Sequence, residues 1–415
     1  MLARLQGRTD LVLDAKTLRA AKRIVEAVRR QGDEALLTYC QELDGSEAAQ
    51  VADLALEPAG DEGPEGLVSG FAGALERAIE SVTAFHRQQV RTGFRIDSGG
   101  VELAERRHPL SRVGVYVPGG RAAYPSTVLM TVIPARLAGV EEIVVATPAA
   151  AFGATPELRY TLKRLEVGEI WGMGGAHAVA ALAYGTETIR RVDKIVGPGN
   201  QWVTAAKRLV SGDVGIDGLA GPSEVMIVAQ EGSDAPWVAA DLLAQAEHDP
   251  NAAAVLVTDS RSFARRVAAA VEEQLPSLAT SETAEASLRR FGGIFVVPEI
   301  GAALPLIEAF APEHLQLIGP EAEALEGQVR HAGAIFLGAS TPEVFGDYLA
   351  GPSHVLPTCG SARFTSALGV EDFIRRSHTV RFSPEVAAVK AEDAAILADA
   401  EGLPAHAAAA RRRSR

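Results

Sequence analysis

The sequence predicts an α/β protein with two parallel sheets wrapped by helices, facing each other across a cleft, and helical segments at both ends. Two observations predict it. From Ser111 onward, short apolar runs bounded by glycine alternate with segments of helical period, and they fall into two successive series. Before Ser111 and over the last fifty residues the patterns are helical and lack such runs.

In chain order, Leu18, Ala21, Ile24, Val25 and Val28 repeat at helical spacing within a predicted helix over 15–43, interrupted at Gly32-Asp33. A second helical pattern runs from about Gly66 to Arg91. The first α/β series then has strands at 113–118, 142–147, 169–172, 194–196 and 225–228. Its helices begin at Ser126, as the cap, at Ala176 and near Gln201. The second series has strands at 253–257, 293–297, 314–318 and 333–337. Ser383-Pro384-Glu385 starts a closing helix that Gly402 ends. The expected layout is two Rossmann-like parallel α/β domains with helical N-terminal and C-terminal extensions. Residues 1–110 form the N-terminal helical region, 111–230 the first α/β domain, 231–365 the second, and 366–415 the C-terminal extension.

Composition narrows the function. The chain has 415 residues, 47% hydrophobic and 22% charged, which suits folded domains with full cores. A net charge of -13 argues against nucleic acid or an anionic membrane as partner. The basic run Arg411 to Arg415 reads as a solvated tail. Cys40 and Cys359 are too few for a disulfide framework. No apolar run reaches membrane-spanning length, and the opening Met1–Asp10 lacks an apolar signal core, so a cytoplasmic location is expected.

The chemistry concentrates in a few stretches. After the apolar run Gly333-Ala-Ile-Phe-Leu-Gly338, Thr341-Pro342-Glu343 reads as the start of a helix that Gly351-Pro352 breaks. This puts Asp347, His354 and Cys359 beyond the carboxyl end of a strand, where open sheets bind ligands; an ordinary polar connection is the alternative. Glycine-rich turns at 118–120, 172–175, 197–199 and 221–222 could let a ligand phosphate approach the backbone, or be plain tight turns; none is G-x-G-x-x-G. Gln245 and His248, three apart on a helix, share a face, yet ligand chemistry alone favours Glu247 as the metal donor. Glu313-His314 at a strand start suits stepwise proton transfer; a solvated Glu and a packed His are the alternative. Glu401 and His406 flank the end of the last long helix, an unusual place for chemistry unless the tail reaches another subunit.

Together these segments resemble the histidinol dehydrogenase family along nearly the whole chain. The matching blocks include Arg112-Val-Gly-Val-Tyr-Val-Pro-Gly-Gly120, Ile195-Val-Gly-Pro-Gly-Asn200, Ala220-Gly-Pro-Ser-Glu224, Gln245-Ala-Glu-His-Asp-Pro250, Pro312-Glu-His-Leu315 and Pro352-Ser-His-Val-Leu-Pro357. The resemblance implies a zinc enzyme, one ion per subunit, that oxidises L-histidinol to L-histidine with two NAD in the last steps of histidine biosynthesis. It implies Gln245, His248, Asp347 and His406 as metal ligands, in place of Glu247, and Glu313 and His314 as the acid/base pair. Ser223, His354 and Glu401 match substrate-contacting positions, and the ligands and His314 line the same pocket. Tyr116 and Asn200 match cofactor contacts; a third such position is usually Gln and is His177 here. An intertwined homodimer is implied, with Glu401 and His406 contributed across the subunit boundary.

In such a site His314 would take the alcohol proton and Glu313 would activate water for the aldehyde step. Cys359 is a rival aldehyde nucleophile or a small residue packed in a turn. The alternatives for the whole chain are a dehydrogenase of another small polar alcohol, a non-catalytic metal- or nucleotide-binding protein, and a zinc hydrolase.

Overall fold

The computed structural model describes residue 8 and residues 14–57, 66–119 and 124–414. The opening Met1–Asp10 stretch, Arg8 apart, and Gly120 of the first glycine turn lie outside the described residues. The chain divides into two compact units, Met1–Gln89 with Ser111–Asp372, and Val90–Leu110 with Phe373–Arg415.

The first unit begins with helices α1 (Ala15–Gln31), α2 (Asp33–Asp44) and α3 (Phe71–Arg87). Asp14 caps α1 by accepting from the backbone of Lys16 and Thr17. Gly32, at φ 54°, breaks the predicted 15–43 helix in two. Strands β1 (Phe94–Ser98) and β2 (Val101–Pro109) follow and belong to the second unit.

The chain returns to the first unit as β3 (Arg112–Tyr116), α4 (Pro125–Ala138), β4 (Glu142–Thr147), α5 (Ala149–Ala154), α6 (Pro156–Arg164), β5 (Glu169–Gly172), α7 (Gly175–Tyr184), β6 (Lys194–Val196), α8 (Gln201–Val210) and β7 (Gly215–Ile216). These strands form a parallel sheet in the order β5-β4-β3-β6-β7. The order reverses between β3 and β6, the switch point where an open parallel sheet leaves a crevice at its carboxyl edge. Residues of α1, α2, α7 and α8, among them Val25, Leu36, Leu182 and Val203, fill one core with this sheet. Ser126 is not the cap of α4; Tyr124 stands there without a side-chain bond, and Pro125 opens the helix.

A second series comprises β8 (Glu224–Ala229), α9 (Ala235–Ala246), β9 (Ala253–Thr258), α10 (Arg261–Gln274), α11 (Ser281–Phe291), β10 (Gly293–Val296), α12 (Leu304–Phe310), β11 (His314–Ile318), α13 (Pro320–Glu323), β12 (Ala334–Leu337) and α14 (Glu343–Tyr348). Its sheet runs β10-β9-β8-β11-β12, again parallel and with the same order as the first. Strand 225–228, which chain order placed with the first series, is the centre of this second sheet. Every residue of β8 and β9 is buried, so both strands read as unbroken apolar runs, and separate cores cover the two faces.

The second unit pairs β1 and β2 with β13 (Ile374–Phe382) in an antiparallel sheet of order β1-β2-β13, followed by α15 (Pro384–Ala400) and α16 (Pro404–Arg411). The sequence reads the stretch before Ser111 as helical packing. A short alternation is present, in Phe94 and Ile96 of β1, Leu103 of β2 and Val380 and Phe382 of β13, but it covers only a few residues between charged ones and faces outward, so it does not stand out as a strand against the helical patterns around it. Ser383 caps α15 by accepting from Val386 N. Among the described residues no helix is long and apolar enough to cross a membrane.

Candidate active site

A cleft of about 1200 Å³ lies in the first unit. One wall is the carboxyl edge of the first sheet: Tyr116, Pro118 and Gly119 after β3, Gly174 to His177 after β5, and Pro198 to Asn200 after β6. The other wall is the amino edge of the second sheet, with Ser223 before β8 and Glu313 and His314 at the start of β11. This corrects the expectation that the Asp347 loop works from a carboxyl end. Helix α14 follows β12 and brings Asp347 Oδ1 within 3.9 Å of His314 Nε2, at the amino edge.

On the first wall, the N-terminus of α7 is already satisfied by protein groups. Gly174 N donates to Asp44 Oδ2 at 2.9 Å and Gly175 N to the Tyr116 hydroxyl at 3.1 Å. His177, fully buried, pairs through Nε2 with the same Asp44 oxygen at 2.8 Å and stacks on Tyr39. Burial pushes the Tyr116 hydroxyl up to about 12, so it stays a neutral hydrogen-bonding group. Asn200 caps α8, its Oδ1 accepting from Trp202 N and Val203 N, which leaves its amide NH₂ uncommitted in that cap. The turn before it requires glycine. Gly197 has φ 109°, and a Cβ there would meet the Tyr116 carbonyl oxygen at 2.2 Å.

On the second wall, one residue holds both Glu313 and His314. Glu224 N donates to Glu313 Oε2 at 2.8 Å, and the Glu224 carbonyl accepts from His314 Nδ1 at 3.0 Å. A carbonyl can only accept, so the Nδ1 hydrogen is fixed there and neutral His314 presents the Nε2 lone pair toward Asp347. Burial holds the His314 pKa down and pushes that of Glu313 well up. Glu224 is itself pinned from below. Fully buried Arg8 bonds its Oε1 at 2.8 Å and the carbonyls of Pro222, Ser223 and Asn251. Burial raises the Glu224 carboxyl to about 7 against the pull of Arg8.

Beside this pair stand donors suited to a metal. Gln245 is fully buried, its amide 3.5 Å from His248 Nδ1, and His248 Nε2 lies 4.0 Å from Asp347 Oδ2. Glu247, the donor favoured by ligand chemistry, is excluded by its direction: it is exposed and accepts from Thr280 Oγ1 at 2.5 Å. Helical period places it about 100° away from His248. The electrostatics suit a cation. Burial raises Glu343 and Glu313 first, and Asp347 raises both further, with Arg8 the cation acting on Glu313. A dication among these carboxylates would offset that repulsion.

A second group, Cys40, Asp44 and His177, has ligand atoms within 4.8 Å of one another. There the Asp44 oxygen is already shared by His177 and Gly174 N, and burial, then Asp44, pushes the Cys40 thiol up to about 12.

The family model described as histidinol dehydrogenase matches residues 9–414. The chain belongs to the histidinol dehydrogenase family. It is 47% identical to histidinol dehydrogenase of Rhizobium meliloti (strain 1021), over 92% of this chain and 89% of that protein. With the Caulobacter vibrioides protein of that name it shares 49% identity, over 93% and 90% of the two chains. The crystal structure of histidinol dehydrogenase from Elizabethkingia anophelis superposes with a TM-score of 0.88 at 32% identity, covering 98% of this chain and 95% of that one. An acetylating aldehyde dehydrogenase from Geobacillus thermoglucosidasius, 12% identical with a TM-score of 0.51, shares the fold alone.

Within this histidinol dehydrogenase family member, the cleft brings together Tyr116, His177, Asn200, Ser223, His248, Glu313, His314, Asp347 and His354. His354 donates Nδ1–H to the Asp347 carbonyl at 3.1 Å, and its Nε2 lies 3.4 Å from Thr127 Oγ1. Glu401 and His406 lie in the second unit, at the end of α15 and on α16, and both are exposed. Cys359 packs its sulfur against Gly221, where a Cβ would meet it at 2.3 Å, and burial pushes its thiol up to about 12. Sequence reading missed Arg8, Asp44, Glu224 as a hub, and Glu343. Glu343 carries no usable signal, because a carboxylate at a helix start is normally exposed and only the structure shows that this one is buried.

Proposed function

We propose that this enzyme oxidises L-histidinol through L-histidinal to L-histidine, using zinc and two NAD per substrate. The observation that carries the proposal is the grip of Glu313 and His314 on opposite ends of residue 224, which aims two proton-transfer groups into one cleft. His314 Nε2 takes the proton of the substrate alcohol as the carbinol carbon gives up a hydride. Glu313 takes a proton from water as that water adds to the aldehyde carbon, and the resulting hydrate anion gives up the second hydride to leave the carboxylic acid. Ser223 and His354 contact the substrate, and Glu401 holds its ammonium group or imidazole by a charge-assisted bond.

Zinc, when bound, would supply a positive template for the amine and imidazole of the substrate. Gln245, His248 and Asp347 would hold it together with His406 from a second copy of the chain, so the working form is a homodimer. NAD, when bound, would accept the hydride of each oxidation. Tyr116, His177 and Asn200 are the residues that would contact it, and an imidazole at 177 keeps one hydrogen bond in place of an amide.

Metal analysis of the purified protein followed by NADH counting tests this. Two NADH per L-histidinol, with little response to other amino alcohols, is expected. Zinc without NADH would overturn the proposal in favour of a hydrolase or a binding protein.

A further inference from the structure

Glu343 opens α14, where an early carboxylate ordinarily faces water and complements the helix dipole. Here it is 2% exposed. Its Oε2 lies 3.3 Å from one terminal atom of the Gln245 amide, and the Glu224 carbonyl oxygen lies 3.3 Å from the same atom. Both neighbours at that end accept hydrogen bonds, so the amide nitrogen belongs there, donating one N–H to each. The amide oxygen is then the atom 3.5 Å from His248 Nδ1, on the side where His248 faces Asp347.

We propose that Glu343 is a positioning residue that turns the Gln245 amide so that its oxygen faces the metal. The proposal rests on the metal assignment above and deepens it. An amide oxygen can bind a dication and an amide NH₂ cannot, so the amide's orientation decides whether Gln245 is a ligand at all. The Glu224 carbonyl holds one N–H but already accepts from His314. Glu343 supplies the second acceptor, and with it the energy difference between the two orientations.

The test is zinc affinity by competition with a chromophoric chelator for the full-length wild type, E343L and E343Q. E343L is expected to bind zinc about 10- to 100-fold more weakly, the usual effect of removing a group that orients a ligand. E343Q keeps an acceptor oxygen and is expected to stay close to wild type. E343L binding as tightly as wild type, or E343Q as weakly as E343L, would overturn the proposal. A wild type that binds no zinc would instead sink the metal assignment. Should E343L not fold, Q245E and the exchange variant Q245E/E343Q decide. Q245E sets two carboxylates together and loses affinity, and the exchange restores a donor–acceptor pair and regains most of it. No recovery in the exchange variant would refute the positioning role.

Discussion

His314 donates its Nδ1–H to the carbonyl oxygen of Glu224 at 3.0 Å, and this bond commits the ring to one tautomer. Glu313 accepts from the N–H of the same residue at 2.8 Å. The two groups are thus held separately and can serve separate half-reactions. E313Q is expected to retain alcohol-to-aldehyde turnover and lose aldehyde oxidation by about 10²- to 10⁴-fold, while H314A loses the first oxidation by a similar factor. NADH release measured from L-histidinol with an aldehyde trap, and separately from L-histidinal, distinguishes the two. Equal loss of both half-reactions in E313Q would count against the division of labour.

Arg8 and Glu224 form a fully buried ion pair at 2.8 Å. R8M leaves the carboxylate buried without its cation, at a cost of about 3–5 kcal/mol. The pH dependence has a defined sign. Burial raises the Glu224 carboxyl from its ordinary 4.5 to about 7, so the native state holds more protons than the unfolded state between those values. Its contribution to stability therefore falls as pH rises through that window. Without Arg8 the folded pKa rises further, so the fall in R8M should be larger and extend to higher pH. Urea midpoints at pH 5 and pH 8 measure it; equal pH responses in wild type and R8M would show that Arg8 does not hold Glu224.

Much of this was legible from residue order. The central strands β8 and β9 are buried along their whole length and announced themselves as apolar runs. Which sheet β8 joins was not legible, because pairing with β9 and β11 is decided by packing across the chain rather than by local pattern. Strands β1, β2 and β13 were missed because their alternation, Phe94, Ile96, Leu103, Val380 and Phe382, is short and set among charged residues. For the site, helical period correctly put Gln245 beside His248, while a general preference for carboxylate ligands pointed to Glu247, which is bonded to Thr280. Adjacent chemistry such as Glu313-His314 could be read directly. The Arg8–Glu224 pair could not, since 216 residues separate its members.

The proposed metal donors make a sharp comparison possible. Q245A should lose zinc, by about 10-fold or more in affinity. E247A should retain it, because Glu247 faces away from the cleft. C40S should also retain zinc if the ion sits with His248 and Asp347 rather than with Asp44 and His177. Removing the metal with a chelator should abolish NADH production, and zinc should restore it. Loss of zinc in C40S with retention in Q245A would move the metal to the first wall of the cleft.

Neither cysteine is poised for nucleophilic work. Both thiols are pushed up to about 12, so below that pH they remain protonated in the folded protein. Native enzyme at pH 8 should resist iodoacetamide at both positions, and C359A should keep full aldehyde oxidation. Rapid alkylation of Cys359 with matching loss of the second half-reaction would reinstate the thiol route.

The strongest test of the subunit arrangement uses two inactive proteins. His406 and Glu401 are exposed on the second unit, whose α15 also exposes Val389, Ile396 and Leu397, an apolar set uncovered among the described residues. If His406 completes the site of a second copy, H406A and H248A homodimers are each inactive. Subunit exchange then builds hybrid dimers in which one site has His248 from the H406A chain and His406 from the H248A chain. The other site carries both lesions. Random exchange makes half of all dimers hybrid, with one sound site of two, so activity should recover to about a quarter of wild type. A site built within one chain predicts no recovery at any mixing ratio, and that result, or an active monomer, would refute the shared site.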